Sequence, residues 1–160
     1  MNALVVCYSR SGTTRKVAEK LASILGARMP CDSEEIHDTT DRAGTFGYLR
    51  AGRDAVSKKL TVLEKVKYDP ASYDIVIIGT PLWAGTVSAP VRTYCAQYSD
   101  RFRKVAFFCT GDSSSDSLFK EMASLCGKDP VSTLWLSRKL EVEADKYAEK
   151  TEEFINRIPV

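Results

Sequence analysis

Ile75-Val76-Ile77-Ile78 is an unbroken apolar run, and Gly79-Thr80-Pro81 follows it directly. A strand with one face in water alternates apolar and polar residues, and this run has no polar face. Such a strand is stable where helices cover both sides of its sheet, which is the situation of a parallel sheet. Val105-Ala106-Phe107-Phe108-Cys109 has the same character. Shorter candidate strands lie at Ala3 to Tyr8 and Val131 to Leu136. A further one falls within Ala27 to Ile36, where Pro30 and a cluster of acids interrupt the pattern.

Helix-patterned segments separate these runs. Val17, Ala18, Leu21, Ile24 and Leu25 recur at helical spacing, and Gly26 is placed to end that helix. Gly44 to Leu63 reads as a second helix with a loose start, because Gly44, Gly47 and Gly52 weaken its first turns. Pro90 suits the first turn of a third helix, from about Ala89 to Tyr98, with Val91, Tyr94, Cys95 and Tyr98 inward. Leu118, Phe119, Met122, Leu125 and Cys126 mark a fourth helix closed by Gly127. A fifth is expected from about Val142 to Arg157, with Tyr147, Thr151, Phe154, Ile155 and Ile158 on one face. Five strands alternating with five helices predict an α/β fold whose parallel sheet is covered on both faces. The 160 residues are expected to form one domain, residues 1–160.

Composition narrows the function. The formal net charge is +2, and no basic run or basic amphipathic stretch suits nucleic acid or a membrane surface. The first apolar run is far too short for a signal or spanning segment, so a cytoplasmic protein is expected. The five cysteines are scattered without a C-x-x-C pair, and His37 is the only histidine, so neither a structural zinc nor a disulfide framework is predicted.

In a parallel sheet, ligands bind beyond the carboxyl ends of the strands where the strand order reverses. In the order 2-1-3-4-5 that point lies between strands one and three, so the loops after strands one, three and four converge. The first loop holds Ser9, Arg10, Ser11, Gly12, Thr13 and Thr14. A strand, a hydroxyl-rich turn and a helix start make a phosphate site, because the first helical N–H groups are unpaired and the helix dipole favours an anion. The bland alternative is a capped helix start. The second loop runs from Gly79 through Thr80, Pro81, Leu82, Trp83, Ala84 and Gly85. Trp83 is either an aromatic wall for a flat ligand or a lid over the sheet edge. The third loop is Thr110, Gly111 and Asp112, followed by Ser113 to Ser115. A phosphatase-like reading of Cys7 and Arg15 fails on spacing, since seven residues separate them where a phosphate-gripping loop of that type has five. An acidic pair for a receiver domain is missing after strand one, and so is the G-x-G-x-x-G of a dinucleotide fold.

Nearly the whole chain resembles the flavodoxins and flavodoxin-like FMN-binding reductases. The first loop is similar to that family's hydroxyl-x-hydroxyl-Gly-x-Thr phosphate loop, Gly79 and Trp83 have the spacing of its ring-stacking tryptophan, and Thr110 to Asp112 fall at its pyrimidine-edge loop. The resemblance implies a flavodoxin-like three-layer α/β/α sandwich, a five-stranded parallel sheet of order 2-1-3-4-5, and FMN held by fifteen residues: Ser9 to Thr14, Thr80 to Gly85 and Thr110 to Asp112. It implies electron transfer with a redox partner protein. The alternative is an NAD(P)H-dependent oxidoreductase acting on quinones or other small-molecule electron acceptors, and nothing in the residues names an acid or base for it. Two departures stand out. No aromatic occupies the third loop, so the ring's outer face is either open or covered by Tyr48 from elsewhere. The chain also lacks the strong acidity usual in low-potential flavodoxins, which predicts a less negative final reduction step, with Arg10, Arg15 and Lys16 near the phosphate. The long crossover from His37 to Lys67 covers the site's rim or forms a subunit contact.

Overall fold

The computed structural model describes residues 1–113 and 116–159. Strands β1 (Ala3–Cys7), β2 (Cys31–Glu35), β3 (Ile75–Trp83), β5 (Val105–Thr110) and β6 (Thr133–Leu136) pair in parallel, in the order β2-β1-β3-β5-β6. The expected five-strand order is therefore present, with one addition. A two-residue strand, β4 (Thr86–Val87), pairs antiparallel with the end of β3 and lies off the main path. Helices α1 (Thr13–Gly26) and α5 (Ala148–Asn156) cover one face, and α2 (Gly44–Val56), α3 (Ala89–Tyr98) and α4 (Asp116–Cys126) cover the other.

The central strands explain the layering. Ile75 to Ile78 are fully buried, with Ile75 and Ile77 in the core under α1 and α5 and Val76 and Ile78 in the core under α3 and α4. Ala3, Val5 and Cys7 alternate with Leu4, Val6 and Tyr8 in the same way. β2 is an edge strand with partly exposed acids, a composition that discourages further strand pairing.

Several boundaries differ from the sequence expectation. α1 runs through Gly26 and is capped by Ala27 in a right-handed conformation, so Gly26 is not the stop. Gly127, by contrast, has a φ of +60°, as a helix-ending glycine does. α2 ends at Val56, and Lys58 takes a left-handed φ of 52°. The chain then returns extended, with Asp38 bridged to Leu63, so Leu60 and Leu63 are not helical. The last helix begins at Ala148, because Arg138–Val142 form a single wide π turn. β3 also continues past the apolar run to Trp83, so the expected second loop is mostly strand.

Candidate functional site

At the carboxyl edge of the sheet lies a cleft of about 360 Å³. Its walls bring together Ser9, Arg10, Ser11, Thr13 and Thr14 from the first loop. From the end of β3 and its turn they bring Pro81, Leu82, Trp83, Ala84 and Gly85, and from the third loop Thr110, Gly111 and Asp112. Of the fifteen expected residues, Gly12 and Thr80 do not line it. Gly12 shapes the loop instead: its φ of 96° suits a residue without Cβ, and its N–H donates to Ser9 Oγ at 3.0 Å. Thr80 is fully buried, with its hydroxyl 3.0 Å from Ser88 Oγ and accepting Ser88 N–H, which ties β3 to the start of α3.

The N-cap of α1 is Gly12, which has no side chain of its own to cap the helix. Ser9 Oγ takes the Gly12 N–H, and among the described residues no side chain accepts from the N–H groups of Thr13, Thr14 or Arg15. The loops are joined below this point. Thr14 Oγ1 lies 2.8 Å from Thr110 Oγ1, and both threonines are buried. A Cβ on Gly111 would stand 2.6 Å from Leu82 Cβ, so the close approach of the second and third loops depends on that glycine.

Trp83 ends β3 and is packed at the cleft. It lines the cleft yet is only 7% exposed. The Tyr8 ring meets it edge to face at 5.3 Å, and the Arg42 guanidinium stands over the indole at 5.3 Å. Arg42 is itself buried, bonding Asp38 Oδ2 at 3.0 Å and Asp54 Oδ2 at 2.8 Å. Thr61 Oγ1 donates to the same Asp38 oxygen. Ala84 and Gly85, with φ of 47° and 79°, form the two-residue turn between β3 and β4. Positive φ at both positions is the mark of a type I′ hairpin turn.

Charge at the cleft is nearly balanced. Arg10 lies at its wall with its guanidinium 5.3 Å from the centre of the Tyr48 ring. Asp112 accepts from Ser137 Oγ, Arg138 Nε and the Lys139 N–H, each at 3.2 Å. Desolvation pushes its carboxyl pKa up, but these donors outweigh it and hold the group below the ordinary carboxylate range. Arg15 and Lys16 do not reach the cleft. Arg15 pairs with Glu35 and Glu19, and Lys16 with Asp145. Burial, followed by the charge of Glu35, pushes the Cys7 thiol up to about 12, so it is no thiolate nucleophile at neutral pH.

Two lining residues lay outside the three expected loops. Tyr48, from α2, stands at the rim, which places part of the long 37–67 crossover over the site. Arg138 follows β6, and extending the carboxyl-edge argument to the last strand would have found it. Ser114 and Ser115 lie outside the described residues.

Residues 2–146 match the family described as Flavodoxin. The chain belongs to the flavodoxin family. Among solved structures it is similar to a putative flavoprotein from Bacteroides eggerthii, at 22% identity and a TM-score of 0.74, covering 99% of this chain and 98% of that one. A flavoprotein in complex with FMN from Lactobacillus acidophilus aligns at 21% identity and a TM-score of 0.68, over 94% of this chain and 98% of that one. The two-electron reduced flavodoxin of Megasphaera elsdenii aligns at 15% and 0.62, over 96% and 98%. At these identities the likeness is one of fold. No curated protein sequence matches the chain. The flavodoxin fold accounts for the cleft's position, since β1 and β3 are the neighbours between which the strand order reverses. Among the described residues, no helix is long and apolar enough to cross a membrane.

Proposed function

We propose that this chain holds flavin mononucleotide in the cleft and passes electrons through it in exchange with a redox partner protein. Membership of the flavodoxin family and the FMN in the L. acidophilus relative support the cofactor. The observation that carries the reading is that the hydroxyl loop opening α1, with Ser11, Thr13 and Thr14, lines the same cleft as Trp83. One end of that cleft suits a phosphate and the other suits an aromatic ring.

Bound flavin supplies reversible one- and two-electron chemistry, and the protein supplies orientation and electrostatics. The N–H groups at the start of α1 and the hydroxyls of Ser11 and Thr13 would receive the phosphate. Ser9 Oγ already accepts from Gly12, so its own proton is directed to another acceptor such as a phosphate oxygen. Pro81, Leu82, Trp83, Ala84 and Gly85 would form the side wall, with Thr110 and Gly111 at the polar edge of the ring. Asp112, bound by three donors, orients its loop and holds no mobile proton at neutral pH. Arg10 would add one positive charge to the phosphate end.

The visible spectrum of the purified protein tests this, together with titration of the apoprotein with FMN. Oxidised-flavin bands and saturable one-to-one binding are expected. A colourless protein that ignores added FMN would overturn the proposal. Mixing the flavin-loaded protein with NADH or NADPH in a stopped-flow instrument separates the carrier from a reductase: the carrier reading expects no rapid bleaching.

A further inference from the structure

The outward face of α2 sets large apolar residues beside two arginines, Arg50 and Arg53. Phe46, Leu49 and Val56 are 85%, 62% and 67% exposed, while Gly47, Ala51, Asp54 and Ala55 take the inward positions. A surface helix ordinarily turns its large apolar residues toward the core. Beside this face lies a second cavity of about 570 Å³, walled by Leu49, Gly52, Arg53 and Val56. It shares Tyr48, Leu82, Trp83 and Ala84 with the cleft described above. A Cβ on Gly52 would meet nothing within 4 Å, so the space over that helical turn is open.

The exposed charge along this segment is mostly positive. Between residues 41 and 60 the exposed charged groups are Arg50, Arg53, Lys58 and Lys59, against the single acid Asp41. Asp54 is buried and paired with Arg42. The Arg53 guanidinium lies 3.6 Å from Asp54, yet its side chain is 72% exposed. An apolar patch ringed by cations suits a partner whose own apolar protrusion is ringed by carboxylates.

We propose that this face docks an acidic redox protein, which seats an apolar side chain in the cavity beside Trp83 while its carboxylates meet Arg50, Arg53, Lys58 and Lys59. The inference rests on the flavin reading, because docking here brings the partner against the wall that the cavity shares with the cleft. A second copy of the chain fits poorly, since a two-fold contact through α2 would set the same cations against each other. A small apolar molecule would fill the cavity but leave Phe46 and Arg50, which do not line it, uncovered.

Stopped-flow reduction of the FMN-loaded protein by photoreduced plant-type ferredoxin, an acidic redox protein, tests the proposal. Each variant is titrated with FMN alongside. The rate is expected to fall about tenfold or more between low and high salt, and by a similar factor in the double variant Arg50→Glu/Arg53→Glu. Oxidation of the reduced protein by the basic cytochrome c should show the opposite salt trend. Gly52→Leu fills the cavity with a better helix former, and it should slow ferredoxin without changing FMN affinity. A ferredoxin rate indifferent to salt and to charge reversal overturns the docking face. A rate indifferent to Gly52→Leu overturns the cavity's part in it. If sedimentation shows a dimer that charge reversal dissolves, the face belongs to a second copy and the proposal falls. If Gly52→Leu abolishes binding of 1,4-naphthoquinone while ferredoxin is unaffected, the cavity belongs to a small acceptor instead. Failure of the wild type to bind FMN would sink the cofactor reading and is read separately in the titration.

Discussion

Replacing Thr14 by Val removes one side of the buried hydroxyl pair that joins the first and third loops. Thr110 is then left with a buried hydroxyl short of a partner, which costs about 1–2 kcal/mol. Urea denaturation of the apoprotein should show that loss, and FMN titration should show weaker binding, because the two loops no longer share a fixed spacing. Ala84 is the opposite case. Its φ of 47° strains an alanine, and glycine relieves it at some cost in unfolded-chain entropy. A net gain of about 0.5–1 kcal/mol is expected for Ala84→Gly, seen as a higher melting temperature. The hydroxyl loop could be read from the sequence because residue types carried the signal: four hydroxyls and a glycine after a strand. The conformation of Ala84 could not, since alanine rarely adopts it. Thr80 looked like its neighbours in the chain, and only its burial against Ser88 separates it from the cleft.

At the scale of elements, α2 and its flanking segments form the unusual part of the fold. Gly47 packs directly on the Arg42 backbone, where a Cβ would stand 2.0 Å from the carbonyl carbon. Backbone cannot swing aside as a side chain can, so Gly47→Ala should cost about 3 kcal/mol and raise the exposure of Trp83. Thermal melting and tryptophan fluorescence measure the two effects. Acid should loosen the same element. Burial alone would raise the Asp54 carboxyl pKa, but the hydrogen bond and charge of Arg42 hold it below the ordinary value. A depressed folded pKa means that this stabilisation is complete above about pH 4 and is lost as pH falls through the lower folded value. Hydrogen exchange, corrected for intrinsic rates, should show α2 losing protection at pH 3 relative to β1 and β3. The sequence predicted the sheet well and this element poorly, for one reason. Ile75 to Ile78 are buried on both faces, so their composition alone dictates their place. Ser57 to Leu63 keep helical spacing at Leu60 and Leu63, and the turn that ends α2 falls on Lys58, which carries none of the usual stop signals. Gly26 misled in the other direction, a glycine that the helix simply includes.

For the molecule as a whole, charge sets the expectation. The formal net charge is +2, and Arg10, Arg138 and Asp112 all line the cleft, with Arg138 paired to Asp112. With few acids to oppose a second electron, the final reduction step of bound FMN should lie at a less negative potential than in a strongly acidic flavodoxin. A redox titration with indicator dyes measures this, and an equally low potential would contradict it. Of the three cations expected near the phosphate, Arg10 alone lines the cleft, since Arg15 and Lys16 pair with Glu35 and Asp145. The guanidinium behind Trp83 has a further consequence for any attempt to simplify this fold. Cutting residues 37–67 down to a plain crossover would spare every parallel strand and the mouth of the first helix. It would also strip the indole of its backing and remove the tyrosine from the rim. Such a minimal version would keep the first loop at the cleft and lose the shape of its aromatic side.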